Sequence, residues 1–319
     1  MSRKKKGDHV SGWICLDKPI DMGSTEAVTR VRRIFNAQKA GHAGTLDPLA
    51  TGILPIALGE ATKTVPYLME ANKGYSFTIE WGKATASFDR EGDVIATSDV
   101  RPSQADVIEA LKSFVGEIQQ IPPAFSAIKV DGQRAYDLAR EGIEVELKPR
   151  TVTIHSAVAA GFPDEDHAEI EVSCGKGTYV RAIVRDIAQM LGTVAHVSVL
   201  RRTLVGSFTQ DRAISLEKLA ELVQEGDSSG VLLPVETALD DIPALAVTTE
   251  DSFRLKQGRS VVLVPRQVEA LRERLVPRTI GGQDASRTVL TTHQGQAQAL
   301  CEFRAGRLNP TRIFHLTES

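Results

Sequence analysis

The chain has 319 residues, 42% of them hydrophobic and 25% charged, with a formal net charge of -3. That is the make-up of an ordinary globular protein of about two domains, which excludes the disordered and fibrous classes. Cys15, Cys174 and Cys301 form no CxxC pair and no apolar run approaches the roughly 20 residues of a membrane span, which speaks against a zinc ribbon, a disulfide framework and a membrane anchor.

Residues 1 to 10 read as a basic flexible tail, led by Arg3-Lys4-Lys5-Lys6 and lacking the apolar segment of a secretion signal, which fits a cytoplasmic protein. Gly12 to Leu16 reads as a short buried strand ended by Asp17-Lys18-Pro19. Gly23-Ser24-Thr25 offers an N-cap for a helix with Ala27, Val28, Val31, Ile34 and Phe35 inward and Arg30, Arg32 and Arg33 on its outer side.

The run from Gly41 to Gly52 is dense in turn formers and holds one carboxylate, Asp47. Three glycines supply backbone freedom, and Pro48 pushes Asp47 out of the helical region, presenting its side chain from a stiff loop. Asp-Pro is also an ordinary turn initiator, so this chemistry alone leaves a site and a plain turn both open. Ile53 to Leu58 continues as an apolar stretch that anchors the loop against a core.

Tyr75, Phe77, Ile79 and Trp81 alternate with polar residues as a half-buried strand, with Tyr75 starting its apolar face. Ser103 and Asp106 resemble a capping box, and Val107, Ile108, Leu111, Phe114 and Val115 are expected to form one apolar helix face. Ala168 to Cys174 alternates as a strand stopping at Gly175-Lys176-Gly177-Thr178-Tyr179. A helix follows with Val180, Ile183, Val184, Ile187 and Leu191 inward and Gly192 as its stop. Gly-x-Gly there lacks the remainder of a phosphate-loop pattern, so no nucleotide cofactor is indicated. Val194 to Leu204 forms another strand region.

From Ala213 the chain turns acidic, and a domain boundary is expected between about 235 and 248. Strand-sized pieces follow at Ser260 to Val264, Thr288 to Thr292, Ala297 to Phe303 and Arg312 to Leu316, with Pro265 to Ser286 reading as an enlarged loop. The net charge hides a split distribution: residues 1 to 63 carry ten Lys/Arg against six Asp/Glu and residues 174 to 212 six against two, whereas residues 213 to 252 hold one Lys against nine acids. Two locally positive segments suit a phosphate-bearing partner and, equally, a solvated surface. The seven histidines show no HExxH or similar spacing that would mark a metal centre.

Gly41 to Lys63 is similar, nearly residue for residue, to the active-site segment of the TruB family, the bacterial tRNA pseudouridine-55 synthases; Asp17-Lys18-Pro19 resembles that family's first motif, and residues 12 to 212 are covered with specific motifs. The resemblance implies that Asp47 is the catalytic nucleophile, that Tyr75 stacks on the target base and takes part in proton movement, and that the 175 to 179 turn delivers Arg181 to the nucleophile. A guanidinium is suited to keeping a carboxylate in a water-poor pocket ionised and oriented.

The resemblance also implies RNA or substrate contacts at His42, Lys18, Lys63, Lys129, Arg134, Tyr136, Tyr179, Leu200, Arg201 and Arg202. A turn lysine, a turn histidine and a plain core leucine are the alternatives at Lys18, His42 and Leu200. Pro122 to Gly142 resembles the family's thumb, an insertion of about residues 123 to 150 in which charges cancel, five basic against five acidic over 125 to 150. One departure is Ala86 in Thr85-Ala86-Ser87, where the family usually carries a loop aspartate, which puts the support of that loop in doubt.

The expected fold is α+β: a catalytic domain over 11 to 240 with a mixed, mainly antiparallel sheet and flanking helices, and a small PUA-like β-barrel over 248 to 319 that binds RNA. The implied reaction isomerises a T-loop uridine of tRNA to pseudouridine, with no cofactor, no metal, no membrane and no obligatory protein partner, in a monomer. The sequence is compatible with attack on C1′, attack on the ring or assisted elimination. A same-fold synthase acting on another RNA, alone or directed by a guide RNA, is the first alternative. An RNA-binding or tRNA-folding module is the second. A carboxylate hydrolase is more remote, because no second acid accompanies Asp47 in its own motif.

Overall fold

The computed structural model describes residues 7–126, 128–130, 132–140, 143 and 147–316. The basic run 3–6 and parts of the thumb-like insertion therefore lie outside the described residues.

The backbone of the structure is a nine-stranded sheet. Seven of its strands run across it in the order Gly12–Lys18, Thr51–Leu58, Ala195–Val205, Lys73–Trp81, His167–Cys174, Arg150–Gly161 and Gly116–Gln120. Ala40–His42 is added on Thr51–Leu58, and Phe208–Thr209 on Ala195–Val205. One neighbouring pair is parallel, Ala195–Val205 with Thr51–Leu58, where Arg201 and Arg202 lie opposite Thr51 and Gly52. The others are antiparallel, so the sheet is mixed.

Strand periodicity explains how two faces are filled. In Thr51–Leu58, the residues Leu54, Ile56 and Leu58 join the main core, while Ile53 and Ala57 join a second one on the opposite face. Ile14 and Leu16 split in the same way from Trp13 and Cys15. Both faces are covered, which is why these strands read as nearly continuous apolar runs. The helix Val180–Met190 closes the main core with Val180, Ile183, Val184 and Ile187, as its spacing predicts.

The helix Gln104–Lys112 is capped by Ser103, whose hydroxyl accepts from the Asp106 N–H. Its buried stripe is narrower than expected: Val107, Ala110 and Leu111 are covered, but Ile108 is 46% exposed, and Val115, expected on the same face, lies beyond the helix end and is 47% exposed. Phe114 is buried just beyond the helix end.

The C-terminal part is a five-stranded sheet in the order Ala244–Ala246, Thr288–His293, Gln296–Arg304, Arg307–Ile313 and Val261–Val262, curled into a half-barrel. The stretch expected as an enlarged loop instead holds the helix Pro265–Arg274 and a short ribbon, Thr279–Ile280 with Gln283–Asp284. Pro265 sits at the helix start and the Gln267 side chain accepts from the Val264 N–H, an N-terminal signal that the loop reading overlooked. The last strand begins at Arg307, directly after the Ala305-Gly306 turn, rather than at Arg312.

The two parts meet through a shared apolar cluster. Trp13, Cys15, Ile53 and Phe208 pack in one group with Val235, Leu239, Ile242, Leu290, Leu300 and Phe314. At its edge, Lys63 pairs with Glu60 at 2.6 Å and donates to the Ile313 carbonyl at 2.7 Å, and Glu60 also accepts from the His315 N–H at 2.7 Å.

Candidate active site

The loop from Ala43 to Ala50 leaves the short strand Ala40–His42 and returns into Thr51–Leu58. Leu46, Leu49 and Ala50 are buried beneath it, so their burial pins the loop while Asp47 remains 34% exposed at the side chain. Gly44 and Gly52 have φ of 96° and 97°, and a Cβ on Gly52 would come within 2.2 Å of the Arg202 carbonyl oxygen, which excludes a side chain there.

Three side chains hold the loop from below. Ser24 does not cap its helix, a role taken by the backbone of Gly23; its hydroxyl donates to the Leu46 carbonyl and accepts from the Leu46 N–H, both at 2.8 Å. Arg202 donates to the carbonyls of Ile53 at 2.7 Å, Gly44 at 3.1 Å and Thr45 at 3.3 Å. Lys18 is fully buried and its amine donates to the carbonyls of Pro19, Met22 and Pro48 at 2.8, 2.8 and 3.2 Å. Burial pushes the Lys18 amine down to about 8, against the pull of Asp47.

The turn-lysine alternative for Lys18 is therefore overturned, and so is direct RNA contact by it, because the amine is enclosed under the loop. Lys18→Met is expected to lower the unfolding free energy by about 1–3 kcal/mol, since the buried Met22 carbonyl and the part-buried carbonyls of Pro19 and Pro48 lose their donor. The depressed pKa of the folded state means that the unfolded chain binds more protons at this residue between about pH 8 and the ordinary lysine value. Wild-type stability should therefore rise relative to Lys18→Met across that window. Denaturant titrations at several pH values would check both statements.

Arg181 meets Asp47 from the start of the helix Val180–Met190. It is 3% exposed at the side chain, and its Nη2 lies 2.7 Å from Asp47 Oδ2 and 2.9 Å from the Phe125 carbonyl oxygen. Nη1 donates to the Ser87 carbonyl at 3.0 Å and stands 3.5 Å from Asp89 Oδ2. The guanidinium fork thus spans two carboxylates and two carbonyls, a geometry that fixes its plane and with it the Asp47 carboxylate.

Asp89 is the residue that sequence reasoning missed. Its side chain is 4% exposed and accepts from the Ser87 hydroxyl at 2.5 Å and the Glu91 N–H at 3.0 Å. The signal was present in Phe88-Asp89-Arg90-Glu91-Gly92, three residues beyond Ala86. Arg90 N–H donates to the Val197 carbonyl and Val197 N–H to the Phe88 carbonyl, both at 3.1 Å, so this loop is pinned to the strand Ala195–Val205 without an acid at position 86. Gln120, fully buried, was missed as well: its amide brackets the Tyr179 backbone, accepting from the N–H at 2.8 Å and donating to the carbonyl at 3.1 Å.

Tyr75 lies in the strand Lys73–Trp81, which begins two residues earlier than its alternation suggested, and faces Arg202 on one neighbouring strand and Val172 on the other. It is half-buried, packs on the main core and lies opposite Arg202 in the strand register. Burial pushes the phenol up from its ordinary value, so it is protonated near pH 7. His42 is half-buried, with Nδ1 enclosed and unpartnered among the described residues; burial and the nearby Arg202 push its pKa down, so it is neutral near pH 7. Leu200 is 5% exposed and belongs to the main core.

Several expected RNA contacts take other partners. Arg202 is 1% exposed beneath the loop and out of reach of any phosphate. Arg201 forms two parallel bonds to Asp17 at 3.0 and 2.9 Å and a third to Gln210, which neutralises it. Lys63 is committed to Glu60 and the last strand, away from a free phosphate-binding role. The Tyr179 ring lies under the Arg150 guanidinium, 4.8 Å from its carbon. Tyr136 is half-buried and its N–H donates to the Ser126 carbonyl at 3.1 Å. Lys129 and Arg134 pair across a two-stranded ribbon, and their side chains lie outside the described residues. The exposed Arg30, Arg32 and Arg33 remain on the outer side of the helix Ser24–Ile34.

Comparison with known proteins follows the same line. Residues 32–180 match the model of the TruB family pseudouridylate synthase (N terminal domain), and residues 181–240 that of the tRNA pseudouridylate synthase B C-terminal domain. The division between these matches falls inside the helix Val180–Met190 and marks no structural boundary. A tRNA pseudouridine synthase B of Caulobacter sp. (strain K31) is 63% identical over 319 residues, covering 99% of this chain and 100% of the relative. One of Bradyrhizobium diazoefficiens is 51% identical, covering 97% of this chain and 87% of its own. Among solved structures, a Cbf5-Nop10-Gar1 complex matches with a TM-score of 0.69 at 24% identity over 95% of this chain and 84% of that one. An H/ACA RNP bound to a substrate RNA matches with a TM-score of 0.71 at 21% identity over 99% of this chain and 92% of that one, a likeness of fold.

Proposed function

The chain belongs to the TruB family of pseudouridylate synthases, and from that premise we propose that Asp47, oriented by Arg181, carries the isomerisation of a T-loop uridine of tRNA, position 55, to pseudouridine. The observation that carries this reading is the half-exposed Asp47 carboxylate held 2.7 Å from an otherwise enclosed guanidinium at the surface of a pinned loop.

In the reaction the C1′–N1 bond breaks, the uracil turns, and C1′ bonds to C5. The hydrogen on C5 is lost as a proton and N1 gains one, so the product is an isomer and the balance requires neither an oxidant nor water. Asp47 stabilises or captures the sugar or the ring while the bond is open. To reach it the nucleotide must leave the base stack, and the Tyr75 ring offers the flipped base a flat partner. Leu200 supplies an apolar surface beside it. His42, neutral, offers hydrogen bonds to the RNA rather than charge.

The same reading assigns residues 11 to 240 to catalysis and 248 to 319 to auxiliary RNA binding, in a cytoplasmic enzyme that works as a monomer without an obligatory protein partner. Among the described residues no helix is long and apolar enough to cross a membrane. A nucleotide-resolution pseudouridine map of a tRNA transcript incubated with the purified protein tests the proposal. One new pseudouridine at the T-loop position is the expected result; an unmodified transcript, or modification confined to another RNA, would overturn it.

A further inference from the structure

Two nearly buried side chains carry polar atoms without a partner among the described residues: Arg181 Nε, in the pair with Asp47, and the hydroxyl of Ser126, the residue after Phe125. Ser126 is 4% exposed and its backbone is fixed on both sides: its N–H donates to the Ala124 carbonyl at 2.9 Å and its carbonyl accepts from the Tyr136 N–H at 3.1 Å. The preceding residue, Phe125, gives its carbonyl to Arg181 Nη2 at 2.9 Å, and that nitrogen is the one 2.7 Å from Asp47. One peptide unit therefore separates the Ser126 side chain from the Asp47–Arg181 pair. That span, roughly 3 Å from a carbonyl oxygen to the next Cα and about as much again to the hydroxyl, is comparable to the width of a pyrimidine ring.

A buried hydroxyl without a partner is unfavourable, and folded proteins seldom keep one that nothing uses. We propose that the Ser126 hydroxyl binds the polar edge of the target uracil. Uracil presents an acceptor, a donor and an acceptor along O2, N3–H and O4. A serine hydroxyl both donates and accepts, and its hydrogen rotates freely. It can therefore follow the ring as the ring turns between leaving N1 and bonding at C5, which a fixed amide or a guanidinium cannot do. Arg181 Nε, a donor only, is the complementary orphan and suits either ring carbonyl.

This inference rests on the reading of the Asp47 site as a uridine isomerase, and the test separates the two. Single-turnover pseudouridine formation on one tRNA transcript is expected to be about 10-fold slower in Ser126→Ala than in wild type, the usual worth of one neutral hydrogen bond. The thermal unfolding midpoint should stay at or above that of wild type, because no hydrogen bond among the described residues is lost. In an unreactive Asp47→Asn background, adding Ser126→Ala should weaken binding of a transcript with uridine at the target position a few-fold. Binding of a transcript with an abasic nucleotide at that position should be unchanged. Wild-type turnover by Ser126→Ala would overturn the proposal. So would a lowered unfolding midpoint with equal affinity loss on both transcripts, which would make the hydroxyl structural. Absence of pseudouridine with the wild-type protein would sink the isomerase reading and this contact with it.

Discussion

Asp47→Asn is expected to abolish pseudouridine formation, by at least about 10⁴-fold, the scale on which removal of an attacking group usually acts. Fold and binding should survive. The amide keeps the size of the carboxylate and retains an oxygen toward Arg181, whose charge still has Asp89 as a partner at 3.5 Å. Affinity for tRNA comes from backbone and shape contacts spread over the RNA, so it should change only a few-fold. Single-turnover rates and filter binding on one transcript decide the matter. A wild-type rate would remove Asp47 from the chemistry, and a collapse of binding would make it structural.

Arg181→Lys should be nearly as damaging for a different reason. Lysine keeps the charge but presents one nitrogen where the guanidinium presents two to Asp47, Asp89 and the carbonyls of Ser87 and Phe125. The Asp47 carboxylate then loses its fixed plane, and a loss of about 10²-fold or more in rate is expected, as for small misplacements in other sites. Arg181→Met adds a stability loss of about 3–5 kcal/mol, because Asp89 is left buried without its counter-charge. Comparing Arg181→Met with the double variant Arg181→Met/Asp89→Asn checks this: the second change should restore part of the lost stability and none of the rate.

The strands and the loop around Asp47 were legible in the sequence because local rules govern them. Glycines, Pro48 and the apolar run after Thr51 specify a stiff loop on a buried strand, and two-residue alternation located Phe77, Ile79 and Ile170 in the core. Arg181 reaches Asp47 from a helix more than a hundred residues away, which no local pattern encodes; resemblance to a family suggested that pairing. Arg202 was misread by the habit of placing arginine outside. Leu200 is buried, and Arg202, two residues on in the same strand, shares its face, so alternation alone pointed inward. Ile108 failed for the opposite reason: its helix covers its neighbours with a narrow stripe, whose width spacing does not give; Val115 failed because the helix ends at Lys112, so helical spacing no longer places it.

The apolar cluster shared by the two parts sets a schedule for synthesis. Trp13, Cys15 and Ile53 belong to the part of the chain that emerges first, yet their cover includes Leu300 and Phe314. Between Asp240 and Phe314 lie roughly 4–15 s of elongation at ordinary rates. During that interval the far face of the large sheet has Phe208, Val235 and Leu239 as cover but lacks Leu290, Leu300 and Phe314, which leaves apolar surface on which a ribosome-bound chaperone could rest. A ribosome that stalls after residue 240 therefore leaves Trp13, Cys15 and Ile53 beneath Phe208, Val235 and Leu239 but without Leu300 and Phe314, a chain whose second apolar cluster is only partly closed.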